Sequence, residues 1–175
     1  MPGRSARLPT LLAAMLLLAT PPAQAQDVAL PHSDMFWITG GLGVGSEDFA
    51  GTAGISLQHD AHLFSLRVAA TAGLFDDGFG DVALLYGRAS RVADRRYRLG
   101  AAAGISAADG CIESGPGSLF GDCEAQKTVI GFPMEAHVSW LPTTFLGLGL
   151  YGFADLNRTR SFAGLTLSVQ LGRLR

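Results

Sequence analysis

The chain has 175 residues, of which 16% are charged, and its formal net charge is −2. It has no basic stripe of the kind that contact with a phosphate backbone requires, so the composition argues against a nucleic-acid partner. The 23 glycines and the 48% of hydrophobic residues favour strands over helices, because glycine inside a helix costs about 1 kcal/mol relative to alanine.

The first 25 residues have the three parts of a secretory signal peptide. Arg4 and Arg7 form a positive n-region, and a short apolar run precedes a small-x-small cleavage site that ends at Ala25. The apolar run is too short for a transmembrane helix, which needs about 20 residues. We therefore predict cleavage after Ala25, a short lead-in over 26–34 and one exported domain over 35–175.

Alternation of apolar and small or polar residues with period two runs through the rest of the chain. Successive side chains of a strand point to opposite faces, so this pattern predicts strands. In one stretch the charged Arg67 stands between the apolar Leu66 and Val68, an order that does not fit a helix core. The pattern predicts eight strands, over 36–46, 49–59, 64–74, 80–92, 97–106, 130–140, 146–151 and 163–171.

The connections between these strands differ in length at the two ends of the predicted sheet. Tight turns are predicted at 59–61, 93–95 and 141–143. Longer connections are predicted at 75–79, 107–127 and 156–160, all at the opposite end. Such a pattern is typical of an up-and-down barrel, although the short connection at Glu47 and Asp48 departs from it.

One face of the predicted strands is apolar, and the other is small and polar. The polar face has too few charges and too many glycines for a surface in water, but it suits the narrow interior of an eight-stranded barrel. Buried ions need partners, so we predict a polar network in the lumen. Its members are Arg67, Asp81, Arg98, Glu135 and His137. The predicted fold is an all-β, eight-stranded antiparallel up-and-down β-barrel of the transmembrane type.

With this leader, this alternation and these unequal connections, the chain from about Phe36 onward resembles the small eight-stranded bacterial outer-membrane barrels. The resemblance implies a monomer in contact with outer-membrane lipid, with a structural or surface-interaction role and no cofactor. A soluble periplasmic barrel that binds an apolar ligand is the alternative. Large side chains on the predicted lumen face favour that alternative: Trp37, Leu85, Phe145, Tyr151, Phe153 and Phe162.

Two cysteines, Cys111 and Cys123, lie in the long connection 107–127. An exported protein meets an oxidising compartment, so we predict a disulfide that closes this loop, with a stabilisation of about 3 kcal/mol. A metal-binding pair is the rival interpretation, and no histidine is nearby to support it. The disulfide-closed loop is our candidate site for a surface partner.

The segment from Glu135 to Ser139 places three polar residues on one strand face. Its His137 and Ser139 resemble the His-x-Ser strand of outer-membrane lipid A deacylases, which implies Ser139 as the nucleophile and His137 as its base. A polar network in the lumen is the simpler interpretation, so we predict no catalytic residues. No metal or cofactor site is predicted either: His59 and His62 flank a turn, and no helix follows the glycine-rich segment 40–45.

Overall fold

The computed structural model of the protein describes the backbone of residues 34–72, 78–92, 96–113, 123–125 and 128–175, and their side chains except within 110–127. Nine strands form: β1 (Met35–Gly45), β2 (Asp48–His59), β3 (His62–Ala72), β4 (Gly78–Val92), β5 (Tyr97–Glu113), β6 (Cys123–Ala125), β7 (Val129–Trp140), β8 (Leu146–Asn157) and β9 (Phe162–Arg173). All eight predicted strands are present. No helix in the described parts is long and apolar enough to cross a membrane.

Eight of these strands close into an antiparallel barrel, and β6 only extends the edge of β5. Pairing of β1 with β9 and of β4 with β5 completes the circle. If each residue's register partner is followed from strand to strand around the barrel, a path that starts at Met35 of β1 returns to β1 at Gly45. The strands are therefore staggered by ten residues over one full turn of the barrel. This stagger tilts the strands against the barrel axis. The predicted fold class is confirmed.

The outward face of the barrel is apolar at its middle. Leu42, Leu84 and Leu167 are 77%, 63% and 73% exposed, and the large hydrophobic residues beside them on the same face are also exposed. The alternate residues of each strand point inward and are small, polar or buried. A barrel in water would show the reverse arrangement, so this structure has the faces of a membrane barrel.

The two ends of the barrel differ. Both described ends of the chain, Asp34 and Arg175, lie at the end where a two-residue turn joins β2 to β3, and the longest connection between neighbouring barrel strands, from β5 to β7, lies at the other end. In that turn Asp60 adopts a positive φ of 53°. Short turns mark the periplasmic end of membrane barrels and longer loops the extracellular end, so the termini lie at the periplasmic end in this orientation.

Three details differ from the sequence-based expectation. The β5 strand continues to Glu113, and β6 pairs with it, so the predicted loop 107–127 is partly a β-hairpin. The strand predicted over 146–151, which is β8, also extends further, to Asn157. Finally, Phe145 does not line the lumen: it precedes β8 and is 60% exposed, because strict alternation holds only inside the strand.

Candidate functional site

The lumen collects the polar side chains of the inward faces, and Arg67 of β3 is at its centre. Its guanidinium donates to the Asp81 carboxylate of β4, and both side chains are almost fully buried. A second donor, Nη1, reaches the backbone carbonyl of Met134 across the barrel at 3.0 Å. Arg67 therefore joins three strands, and its charge is compensated by Asp81.

Glu135 and Tyr151 form a second buried pair on neighbouring strands β7 and β8. The Tyr151 hydroxyl donates to the Glu135 carboxylate. Both residues, together with Arg67, line a cavity of about 10 Å³. A volume of this size corresponds to about one water molecule, so this part of the lumen is packed rather than open.

Arg98 of β5 lies apart from this group, nearer the periplasmic end. Its guanidinium donates to the side-chain carbonyl of Gln170 and stacks over the Trp37 ring, with 3.7 Å from its carbon to the ring centroid. It forms no ion pair with any described carboxylate. The two buried arginines of the predicted network thus have different environments: one is paired with an anion, the other with an aromatic ring and an amide.

His137 also stands outside the hydrogen-bonded network. Its ring lies parallel to Tyr151, with centroids 6.1 Å apart, and edge-on to Trp37. Neither His137 nitrogen has a hydrogen-bond partner among the described residues, and neither has the Ser139 hydroxyl. The two residues therefore do not form the hydrogen-bonded nucleophile–base pair that the deacylase resemblance implies.

Asp155, which is not among the predicted members of the lumen network, is a further member of the polar lumen. The Ser106 hydroxyl donates to its carboxylate, and Asp155 is fully buried. Gly131 makes this contact possible, because a Cβ there would lie 2.5 Å from the Ser106 oxygen. The signal that could have identified this site is the alternation of β8, which places Asp155 on the same face as Tyr151 and Phe153.

Apolar residues close the lumen at both ends. At the periplasmic end Trp37, Leu63, Leu141 and Leu174 belong to one buried cluster. At the extracellular end a second cluster contains Ala50, Ala69, Phe79, Tyr151, Phe153 and Phe162. Five of the six large residues that we predicted on the lumen face are thus inside the barrel, where they fill it. Phe145 is the exception noted above.

The predicted disulfide lies outside the described side chains. The backbone register places Cys123 opposite Glu113 and Cys111 opposite Ala125, so the two cysteines are offset by two residues across the β5–β6 hairpin. The bridge remains a prediction. Among the described residues no cluster of His, Cys, Asp and Glu could hold a metal ion.

Comparison with known proteins supports the fold. No protein-family model matches the chain, and no curated protein matches it significantly. Solved structures of small outer-membrane β-barrels do match. Neisserial surface protein A (NspA) is 12% identical with a TM-score of 0.54, over 79% of this chain and 94% of that chain.

Two further barrels are similar in the same way. The N-terminal β-barrel domain of Pseudomonas aeruginosa OprF is 11% identical with a TM-score of 0.57, over 79% of this chain and 96% of that chain. Ail, the attachment invasion locus protein of Yersinia pestis, is 12% identical with a TM-score of 0.52, over 82% and 99%. At these identities the likeness shows a common fold.

Proposed function

We propose that the protein is a monomeric barrel of the bacterial outer membrane with a structural or surface-interaction role and without a conducting pore. The observation that carries this proposal is the distribution of side chains over the two faces. Large apolar residues cover the outside of the barrel, while buried polar pairs and two apolar clusters fill the inside. Lipid is the solvent that fits the outer surface.

The packed lumen argues against transport through the barrel. Between the two apolar clusters the cavity beside Arg67 has a volume of only about 10 Å³. Eight strands enclose an interior just wide enough for side chains. The same packing disfavours the soluble periplasmic alternative, since the described lumen has no room for an apolar ligand.

Because the lumen is packed, we assign the surface role to the extracellular end, where the predicted loop 107–127 is the longest connection. We expect its Cys111 and Cys123 to be bridged in the exported protein and the loop to contact a surface partner. Ail, a barrel of this fold, has been solved in complex with the heparin analogue sucrose octasulfate, so such barrels can carry a ligand. A mass increase on alkylation only after reduction would support the bridge, and alkylation without reduction would contradict it.

Fractionation and gel mobility test the membrane assignment. We expect the protein in the washed outer-membrane fraction and a faster-migrating band in unboiled detergent samples, because closed barrels resist detergent until heated. Reconstituted protein should leave the conductance of a planar bilayer at its baseline. Recovery only in the osmotic-shock fluid, without a heat-dependent shift, would overturn the proposal.

A further inference from the structure

Charge is distributed unequally between the two rims of the barrel. Described arginines dominate the periplasmic rim: Arg88, Arg91, Arg96, Arg173 and Arg175, against the acids Asp34 and Asp60. At the extracellular rim the described residues include more acids than bases: Glu47, Asp48 and Asp109, against Arg158 and Arg160. One of those two arginines is also neutralised locally, since Arg160 pairs with Glu47 at 2.6 Å.

Three of the periplasmic arginines, Arg88, Arg96 and Arg173, are exposed and make no ion pair with a described side chain. The described acids of this rim, Asp34 and Asp60, both face His59 at the β2–β3 turn. Within the part of the chain that the structure describes, no carboxylate therefore forms an ion pair with any of the three arginines.

Two of these arginines lie at the lower edge of the apolar band. Arg173 follows the exposed Leu171 at the next outward position of β9. Arg96 precedes Tyr97, whose register partner is the outward-facing Trp140, and the Arg96 carbonyl accepts a hydrogen bond from Leu141 at 2.7 Å. Exposed tyrosine and tryptophan mark the level of lipid headgroups in membrane barrels.

We propose that Arg88, Arg96 and Arg173, here called the arginine rim, bind the headgroups of anionic phospholipids in the periplasmic leaflet. This inference rests on the proposed membrane location. A guanidinium is permanently charged and can donate two parallel hydrogen bonds to one phosphate. Exposed arginines at headgroup depth that form no ion pair with a described side chain therefore select lipids with a net negative charge over zwitterionic ones.

The two tryptophans of the chain provide a direct test. Trp140 is exposed on the lipid face beside Arg96, whereas Trp37 is 1% exposed inside the lumen, so bromine atoms on lipid chains can quench only Trp140. The full protein is inserted into phosphatidylcholine vesicles in which a fraction of the lipid is replaced by brominated phosphatidylglycerol or, in parallel, brominated phosphatidylcholine. The ratio of the two quenching curves gives the relative binding of the anionic lipid around Trp140.

We expect about a fivefold preference for phosphatidylglycerol at about 0.1 M salt and its loss at about 1 M salt, where charges are screened within about 3 Å. The double variant Arg96→Gln and Arg173→Gln should abolish the preference. Arg158→Gln, which removes one charge at the opposite rim, should leave it intact. Equal quenching by both brominated lipids in the unchanged protein would overturn the inference, as would loss of the preference in Arg158→Gln.

The experiment separates this inference from the membrane assignment. Quenching of Trp140 by brominated phosphatidylcholine alone shows that the barrel is in the bilayer, whatever the headgroup preference. No quenching by either lipid would contradict the membrane location itself. Quenching of equal strength by both lipids would leave the membrane location standing and refute only the arginine rim as a lipid site.

Discussion

Gly100 lies directly opposite His137 in the β5–β7 register, and a Cβ on Gly100 would lie 2.5 Å from the imidazole Nε2. The imidazole has little freedom to move aside, since Tyr151 lies parallel to it and Trp37 meets it edge-on. The same relationship recurs in the β8–β9 register, where Gly164 lies opposite Phe153 and a Cβ on Gly164 would lie 2.6 Å from the Phe153 ring. Large side chains enter this lumen because a glycine faces them.

We therefore predict that Gly100→Ala lowers the free energy of unfolding by about 1–3 kcal/mol, the usual range for overpacking a core. Urea unfolding in a lipid or detergent host measures it. Gly40→Ala is the matched control, because a Cβ at Gly40 meets nothing within 4 Å; we expect it to be neutral or slightly stabilising. Adding His137→Ala to Gly100→Ala should cost less than the two single changes together. Equal effects of Gly100→Ala and Gly40→Ala would show that the contact has no energetic weight.

Leu84→Arg tests the membrane-facing surface. Leu84 is at the middle of β4, opposite Leu66 and Ile105, and points outward. An arginine at the bilayer midplane costs about 2–4 kcal/mol, whereas near the interface it costs about 0–1 kcal/mol. Ser90→Arg, on the same face of the same strand near its periplasmic end, is the control. In lipid vesicles, only Leu84→Arg should lower the free energy of unfolding substantially. A barrel that is soluble in water would tolerate both substitutions.

Arg67→Met should be among the most damaging lumen substitutions. It removes the partner of Asp81, whose carboxylate is fully buried, and breaking a buried pair in this way costs about 3–5 kcal/mol. Combining Arg67→Met with Asp81→Leu should recover much of the loss, because the Asp81 carboxylate that loses its partner is removed as well. A double-mutant cycle by urea unfolding measures the coupling, and additive losses would contradict a paired network.

Arg98→Met is the same substitution in a different environment, and we expect a different result. Arg98 has no described carboxylate partner, so its removal leaves no orphaned anion. The lost stacking on Trp37 costs about 2 kcal/mol, while relief of a buried, uncompensated cation favours the variant by a similar or larger amount. The free energy of unfolding should change little or rise. A loss as large as that of Arg67→Met would indicate an anionic partner for Arg98.

At the periplasmic turn outside the apolar band, a hydrogen bond to Asp34 raises the pKa of His59, with Asp60 adding to the effect. Because the folded pKa is raised, the stabilisation is fully present below the unfolded pKa of about 6.5 and disappears as the pH rises through the folded value. Titration of the imidazole by NMR should show a lower pKa in Asp34→Asn. Asp109→Asn, at the other rim, should leave it unchanged, and a pKa unaffected by Asp34→Asn would refute the contact.

The faces of the strands could be predicted because lipid and lumen demand different side chains. Leu66 and Val68 point outward and Arg67 inward, and this contrast repeats along β3, β4 and β7. Alternation fails where the strand ends, which is why Phe145 was misplaced. Alternation also does not show where a polar, glycine-containing strand stops. We predicted the end of β5 at Ser106, but the strand extends seven residues further, to Glu113.

Contacts across the lumen could not be predicted in the same way. Arg98 meets Gln170 of β9, and Arg67 reaches the backbone of Met134. Which side chains meet depends on the ten-residue stagger of the closed barrel, a property of all eight pairings together. The sequence shows that Arg67, Asp81, Arg98 and Glu135 share the interior, but not which of them are partners.

The unequal strand lengths give the extracellular end an uneven outline. On one side β1 and β2 are joined through Ser46 and Glu47, close to the membrane, while on the other side β5 continues to Glu113 and carries β6 with it. Antibodies raised against intact cells should therefore recognise epitopes on the β5–β6 hairpin, whereas the β1–β2 turn should be masked by the neighbouring surface glycolipid. Peptide insertions for surface display should therefore be placed in the β5–β6 hairpin, which extends further from the membrane than the β1–β2 turn.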